Sequence, residues 1–296
     1  MNSQQKKVLI LGAGGMLGHM AVRVLGENFE IFGTTRGSES SVPMLGKFLS
    51  KDSWITGVNV LNDQEVERVL DLIKPDAVIN CVGLVKQKMD NSSYIESIEV
   101  NALLPHKMYL LCQKFGSKLI QISTDCVFTC DLGMKSQGDN PNATDLYGRT
   151  KFLGEVDYGT ALTLRTSIVG RQISGQESFF EWVLSQRGKT ANGYANALYT
   201  GLTTYALSRV ISEVLANHFS LSGLWQVASD PISKFELMKK LNSELTLDID
   251  ICEDTDFQCD RRLDGSMFTK KTNISIPTWD EMIEQFSSDQ VNYQSV

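Results

Sequence analysis

The segment Val8-Leu9-Ile10-Leu11-Gly12-Ala13-Gly14-Gly15-Met16-Leu17-Gly18 constrains the fold of this 296-residue chain more than any other stretch. A run that is apolar at every position suits a strand buried on both faces. Such a strand belongs to a parallel sheet covered by helices on both sides. The glycines stand directly between this run and an amphipathic stretch, 16–25, that reads as a helix. Gly12 makes the tight turn, Gly15 lets the backbone approach a phosphate, and Gly18 lets the helix pack on the strand. Free N–H groups at Met16, Leu17 and Gly18 then present the positive end of the helix to an anion. In this context the glycine spacing points to the pyrophosphate of a dinucleotide.

Short apolar runs and amphipathic stretches continue to alternate. Strands are expected at 8–11, 30–35, 55–60, 77–80, 118–122, 161–165 and 224–228, and helices at 16–25, 63–73, 95–115, 147–156, 178–186 and 205–217. Within 63–73, Val66, Val69, Leu70 and Ile73 share one helical face. This alternation implies right-handed crossovers and an α/β fold, a Rossmann-type doubly wound parallel sheet. From Pro231 the pattern changes to a helix at 232–245, a short strand at 247–252 and a loop-rich end with a helix at 279–286. The expected organisation is a nucleotide-binding domain over 1–167, rejoined by 200–229. A smaller, mainly C-terminal substrate-binding lobe comes from 168–199 and 230–296. The polar tail 287–296 is expected to fray.

Composition bounds the partners. A hydrophobic fraction of 42% suits a globular protein with a core, and a net charge of −7 disfavours a nucleic-acid polymer as partner. No stretch approaches the roughly 20 apolar residues that cross a bilayer, so no membrane association is expected. The six cysteines form neither a CxxC pair nor a dense framework. Free thiols in a reducing cytoplasm, with no metal site at Cys126 and Cys130, are the expected state. A homodimer is left open.

The end of the second strand bears on which nicotinamide cofactor binds. An acid about 20 residues past the glycines would bond a ribose 2′-hydroxyl, and here Arg36 stands in that place. Its guanidinium can grip a 2′-phosphate, with Ser38 beside it, which favours NADP(H). Glu39, slightly late in register, keeps NAD(H) open.

Ser123-Thr124-Asp125 follows the run 118–122, at the carboxyl edge of the sheet where ligands of such folds bind. Tyr147 and Lys151, four apart, share a helical face and can enter one cleft. Carbonyl reduction needs a proton donor for the developing alkoxide. A free phenol, with a pKa of about 10, holds its proton too tightly unless a neighbouring ammonium lowers it. Lys151 is expected to do so, and Thr124 to hold the substrate oxygen.

These pieces together make the chain resemble an extended short-chain dehydrogenase/reductase over nearly its full length, and within that superfamily the dTDP-4-dehydrorhamnose reductase branch. The resemblance rests on the glycine turn, Ser123-Thr124-Asp125-Cys126-Val127-Phe128, Tyr147-Gly148-Arg149-Thr150-Lys151 with Gly154-Glu155, and Leu164-Arg165-Thr166-Ser167. Gly201-Leu202-Thr203-Thr204 and Arg262-Leu263-Asp264 with Ser266 echo later family segments. It implies reduction of the C4 ketone of a nucleotide-linked 6-deoxy sugar, with Thr124, Tyr147 and Lys151 catalytic. Val60, Cys81, Val82, Gly83, Asn101 and Thr166 would complete the cofactor site. Ser123, Asp125, Cys126, Lys86 and Gln87 would face the substrate.

Two departures bear on the sugar. The family usually has tyrosine where Cys126 stands, and the loop 81–87 differs from its alanine-rich version. Both turn the expectation from dTDP-rhamnose towards a UDP-linked N-acetylated 4-keto-6-deoxyhexose, as used in surface polysaccharide assembly. Cys126 also occupies the place of a dehydratase's glutamate, which disfavours dehydration. A 4-epimerase, and a non-catalytic NADP-binding regulatory subunit, remain as alternatives.

Overall fold

The structure, a computed structural model, describes residues 5–84, 93–173, 175, 178–289 and 293. Seven strands form one parallel sheet in the spatial order β10-β6-β5-β4-β1-β2-β3. These are β1 (Lys7–Leu11), β2 (Glu30–Thr34), β3 (Trp54–Ile55), β4 (Ala77–Asn80), β5 (Lys118–Thr124), β6 (Leu162–Thr166) and β10 (Gly223–Gln226). The chain builds outward from β1 through β2 to β3, then returns to the other side of β1 with β4. The order therefore reverses between β1 and β4, the crevice where ligands of open α/β sheets bind.

β1 shows why its run is apolar throughout. Val8 and Ile10 join a core with α1 (Met16–Leu25) and α7 (Thr204–Asn217), whereas Leu9 and Leu11 join another with α2 (Asp63–Ile73) and α4 (Leu104–Phe115). Each alternate side chain has its own layer of helices, so no position is left for a polar residue. α2 has the expected bounds, because its buried residues Val66, Val69, Leu70 and Ile73 recur at helical spacing. Asn62 caps its N-terminus by accepting from Gln64 N.

Several expectations need correction. The strand at 55–60 shrinks to Trp54–Ile55, because Gly57 turns the chain with φ of 71°. The helix at 95–115 contains a π-helical segment, Ile98–Leu103, between α3 (Tyr94–Ser97) and α4. A strand at 190–199 escaped the sequence reading: β8 (Thr190–Tyr199) is rich in Ala, Asn and Gly and lacks an apolar alternation. It pairs with β11 (Ile232–Ser233) and β12 (Asp250–Arg261) in a second, three-stranded sheet. β12 starts later than expected, since Thr246 and Asp248 have positive φ, and it continues to Arg261 with nearly every position at least partly exposed.

Two further strands, β7 (Ile168–Val169) and β9 (Leu202–Thr203), pair with each other. Three helices complete this part: α6 (Phe179–Ser185), α8 (Lys234–Glu244) and α10 (Trp279–Ser288). Leu237, Met238, Leu241, Met282 and Ile283 belong to the same core as α1 and α7, so the C-terminal elements have no separate core. A short α9 (Ser266–Thr272), not expected from the sequence, carries Phe268 into that core. No helix among the described residues is long and apolar enough to cross a membrane.

Candidate active site

The glycine turn has the form its spacing implies. Gly12 has φ of 76°, and Gly15 N donates to its carbonyl oxygen at 3.0 Å. A Cβ on Gly18 would overlap Gly12 O and stand 2.9 Å from Ala13 Cα, so only glycine lets α1 lie this close to β1. Gly15 caps α1 from an extended conformation, and no side chain caps the first turn. The cradle thus offers backbone N–H groups and the space of absent side chains, which fits a pyrophosphate. Past β2, Arg36 is exposed and makes no hydrogen bond or ion pair with a described residue. Glu39, also exposed, opens a 3₁₀ turn on the same rim.

On the other side of β1, Cys81 N donates to Leu11 O at 3.1 Å, which places Cys81, Val82 and Gly83 against the glycine turn. Asn101, buried in the π-helical segment, pins this loop. Its Oδ1 accepts from Leu84 N at 2.9 Å and its Nδ2 donates to Leu84 O at 3.1 Å. Val60 packs half-buried on the core below β1, and Thr166 sits in register beside Thr124. Lys86 and Gln87 lie outside the described residues.

The proposed reacting groups come from β5 and from α5 (Leu146–Leu153), a helix capped by Asp145, which accepts from Gly148 N at 2.8 Å. Tyr147 lies close enough to Thr124 for the threonine hydroxyl to favour its phenolate form. The Thr124 hydroxyl donates to Asp125 Oδ1 and accepts from Cys126 N, both at 3.1 Å. One turn along α5, Lys151 Nζ donates to Ile122 O at 2.7 Å. Burial pulls the Lys151 pKa down to about 8, against Glu155 and Cys81, which favour its charge. The expectation that Lys151 lowers the tyrosine pKa is not met in the ligand-free chain. Burial pushes Tyr147 up; Cys126 and Asp125 add to this, and Thr124 and Arg261 oppose it. The phenol therefore keeps its proton at neutral pH. Burial likewise raises Asp125, against Arg261, its hydrogen bonds to Cys126 and Thr124, and Lys234. It pushes the Cys126 thiol up to about 12.

Two residue assignments change. Ser123 does not face an open cleft. It is buried, and its hydroxyl donates to Glu155 Oε1 at 2.6 Å. Glu155 also takes two hydrogen bonds from Arg165, at 2.9 and 2.7 Å, so Ser123 completes a buried ion pair that ties α5 to β5 and β6. Cys130 and Cys259 are not free thiols. They form a disulfide, with Cα atoms 4.5 Å apart, that joins the loop after β5 to β12; Cys81, Cys112, Cys126 and Cys252 are free. Spacing gave no sign of a pairing across 129 residues.

The sequence reading also missed the groups that β8, α8 and β12 bring to this edge. Arg261 acts electrostatically on Asp125, Cys126 and Tyr147, and donates to Phe128 O at 2.8 Å. Tyr199 is buried, with its hydroxyl unpartnered among the described residues. Lys234 stands over its ring. None of the three has a local sequence signal, because only the packing of α8 on β8 and the pairing of β8 with β12 bring them together.

Residues 6–291 match the family model described as RmlD substrate binding domain. Among curated relatives, a probable low-salt glycan biosynthesis reductase of Haloferax volcanii is 29% identical over 185 residues, covering 60% of this chain and 59% of that protein. A dTDP-4-dehydrorhamnose reductase of Mycobacterium tuberculosis is 27% identical over 161 residues, covering 52% and 46%. The chain thus spans about half the length of the curated relatives it matches. A solved dTDP-4-dehydrorhamnose reductase from Bacillus anthracis, in complex with NADP, superposes with a TM-score of 0.78 at 20% identity, covering 96% of this chain and 99% of that one. With a match over nearly its whole length, this chain belongs to the RmlD substrate binding domain family.

Proposed function

We propose that the protein reduces the C4 ketone of a nucleotide-linked 4-keto-6-deoxy sugar, with NADP(H) as cofactor, in the making of a surface polysaccharide precursor. The observation that carries this reading is the joining of Thr124, Tyr147 and Lys151 at the sheet edge beside the glycine cradle. The exposed guanidinium of Arg36, which pairs with no described residue, supports NADP(H), with NAD(H) as the alternative through Glu39. The names of the relatives, reductases of dTDP-4-dehydrorhamnose and of glycan biosynthesis, support the substrate class. The cytoplasm is the proposed compartment on the chemistry of the two reactants and not on the cysteines, two of which are paired.

When bound, the reduced nicotinamide supplies a hydride to the sugar carbonyl carbon. The chain's own groups handle the oxygen. Thr124, next to the phenol of Tyr147, turns its hydroxyl from Asp125 Oδ1 to the same substrate oxygen. Tyr147, protonated because it is buried, gives its proton to that oxygen as negative charge develops there. Lys151, one turn along α5 and held by Ile122 O, does not act on the phenol in the ligand-free chain; its positive charge is proposed to favour the phenolate once the cleft is filled. Asn101 holds the loop that walls the cleft beside Lys151 and Cys81.

The test incubates purified protein with NADPH and a panel of dTDP- and UDP-linked 4-keto-6-deoxy sugars, following the loss of NADPH absorbance. Turnover is expected on at least one sugar, and Tyr147→Phe should abolish it while still binding NADPH. Retained NADPH binding without turnover on any panel member would overturn the reductase reading in favour of a regulatory NADP-binding subunit.

A further inference from the structure

The mechanism above leaves Lys234 without a task. It is the first residue of α8, behind the cap Ser233, and is half-buried. Its Nζ lies 3.8 Å from the centre of the Tyr199 ring and 4.2 Å from that of Phe179. Among the described residues no acceptor takes a hydrogen bond from it and no carboxylate stands within ion-pair distance. Two ring faces stabilise the charge but leave three directed N–H donors unused. An oxygen acceptor brought in by a ligand would engage donors that the described residues leave unused.

Position identifies the ligand group. Asp125 and Cys126 act electrostatically on both Tyr147 and Lys234. Phenol and ammonium therefore flank one short turn, Asp125–Val127, whose small Cys126 thiol is half-buried. A hexose whose carbonyl meets Tyr147 can present a ring substituent to Lys234 across this turn. A neutral carbonyl oxygen can accept from the ammonium without adding charge beside the buried Asp125 carboxyl. Burial pulls the Lys234 pKa to about 8, so the ammonium form, the better donor, prevails at neutral pH.

We propose that Lys234 determines substrate specificity by donating a hydrogen bond to the carbonyl oxygen of a sugar substituent, the acetamido group of an N-acetylated hexose being the class that fits. This rests on the nucleotide-sugar reading and deepens it. Arg261, the other cation on these groups, already spends one N–H on Phe128 O, so of the two Lys234 is the one whose donors no described residue takes.

Binding calorimetry on NADP⁺-loaded protein tests this without requiring turnover. The probes are UDP-N-acetylglucosamine, UDP-glucose and UDP alone, titrated into wild type and Lys234→Met. Lys234→Met should weaken UDP-N-acetylglucosamine about tenfold or more, while UDP-glucose and UDP change by less than about twofold. Lys234→Gln, which keeps a donor without the charge, should fall between; it also serves as the reading if the methionine variant does not fold. Equal weakening of all three probes would make Lys234 a phosphate contact, and no change, or no binding of any probe to wild type, would equally overturn the proposal. Selective loss in a protein that turns over no keto sugar would keep Lys234 in its role while the reductase reading falls. Turnover by wild type with unchanged affinities in Lys234→Met would do the reverse.

Discussion

Replacing Glu155 with alanine would leave the Arg165 guanidinium in the interior without its carboxylate. The two side chains are 5% and 4% exposed, and Glu155 accepts from Arg165 Nε, Arg165 Nη2 and Ser123 Oγ at 2.9, 2.7 and 2.6 Å. Each hydrogen bond to a charged group contributes roughly 1.5–3 kcal/mol. Their sum overstates the effect, because desolvating the pair offsets much of the attraction. Measured directly, removing one partner of a buried pair costs about 3–5 kcal/mol. The Phe128 ring, 5.1 Å from the guanidinium carbon, is present with or without Glu155 and does not enter the difference. Arg165 Nη1 has no partner among the described residues even now, so the guanidinium has no spare acceptor to turn to. A loss of about 3–5 kcal/mol is therefore expected for Glu155→Ala, a large share of the roughly 5–15 kcal/mol that holds a domain folded. Urea unfolding reads it as a lower midpoint at an unchanged slope. The double variant Glu155→Ala/Arg165→Met, with no stranded charge, should regain about half of the loss or more. A loss below about 1 kcal/mol, or a double variant no more stable than Glu155→Ala, would refute the claim that a desolvated charge sets the cost.

The other expected outcomes are as follows. Gly18→Ala puts a Cβ into Gly12 O and 2.9 Å from Ala13 Cα, and backbone atoms have little room to give. It should cost about 1–3 kcal/mol in urea unfolding and weaken NADPH binding in a fluorescence titration; wild-type affinity would contradict the assigned cradle. Lys151 works as an ammonium and loses its proton near pH 8, so turnover should be full below that pH and decline as pH rises through it. Lys151→Met should lower kcat by about 10²-fold or more and remove that alkaline limb; a limb that survives belongs to another group. Unreduced, denatured protein should titrate as four thiols and reduced protein as six, because Cys130 and Cys259 are paired. Six thiols before reduction would refute the pairing.

Legibility in the sequence followed the range of the interactions involved. α2 was read to the residue, because its apolar face and its Asn62 cap are local. The strand at 55–60 was overdrawn for want of one backbone angle, the positive φ of Gly57, which no hydrophobic pattern shows. β8 went unread because its partners, β11 and β12, supply the hydrogen bonds, and its exposed positions carry no periodic signal. In the site, Ser123 was placed with its neighbour Thr124 although its hydroxyl belongs to Glu155, 32 residues away.

The sequence by itself determined the parallel sheet, the glycine turn and the placing of Tyr147 and Lys151 one turn apart on a helix. Strand burial, turn chemistry and the four-residue helical spacing all act within one element or between adjacent ones. Only the tertiary structure decided the electrostatics of the cleft. Burial raises Tyr147 and lowers Lys151, while Arg261 and Lys234 reach Asp125 from β12 and α8. A pKa is set by solvent exclusion and by charges near in space, which depend on how separate elements meet. Neither quantity has a period or a spacing along the chain.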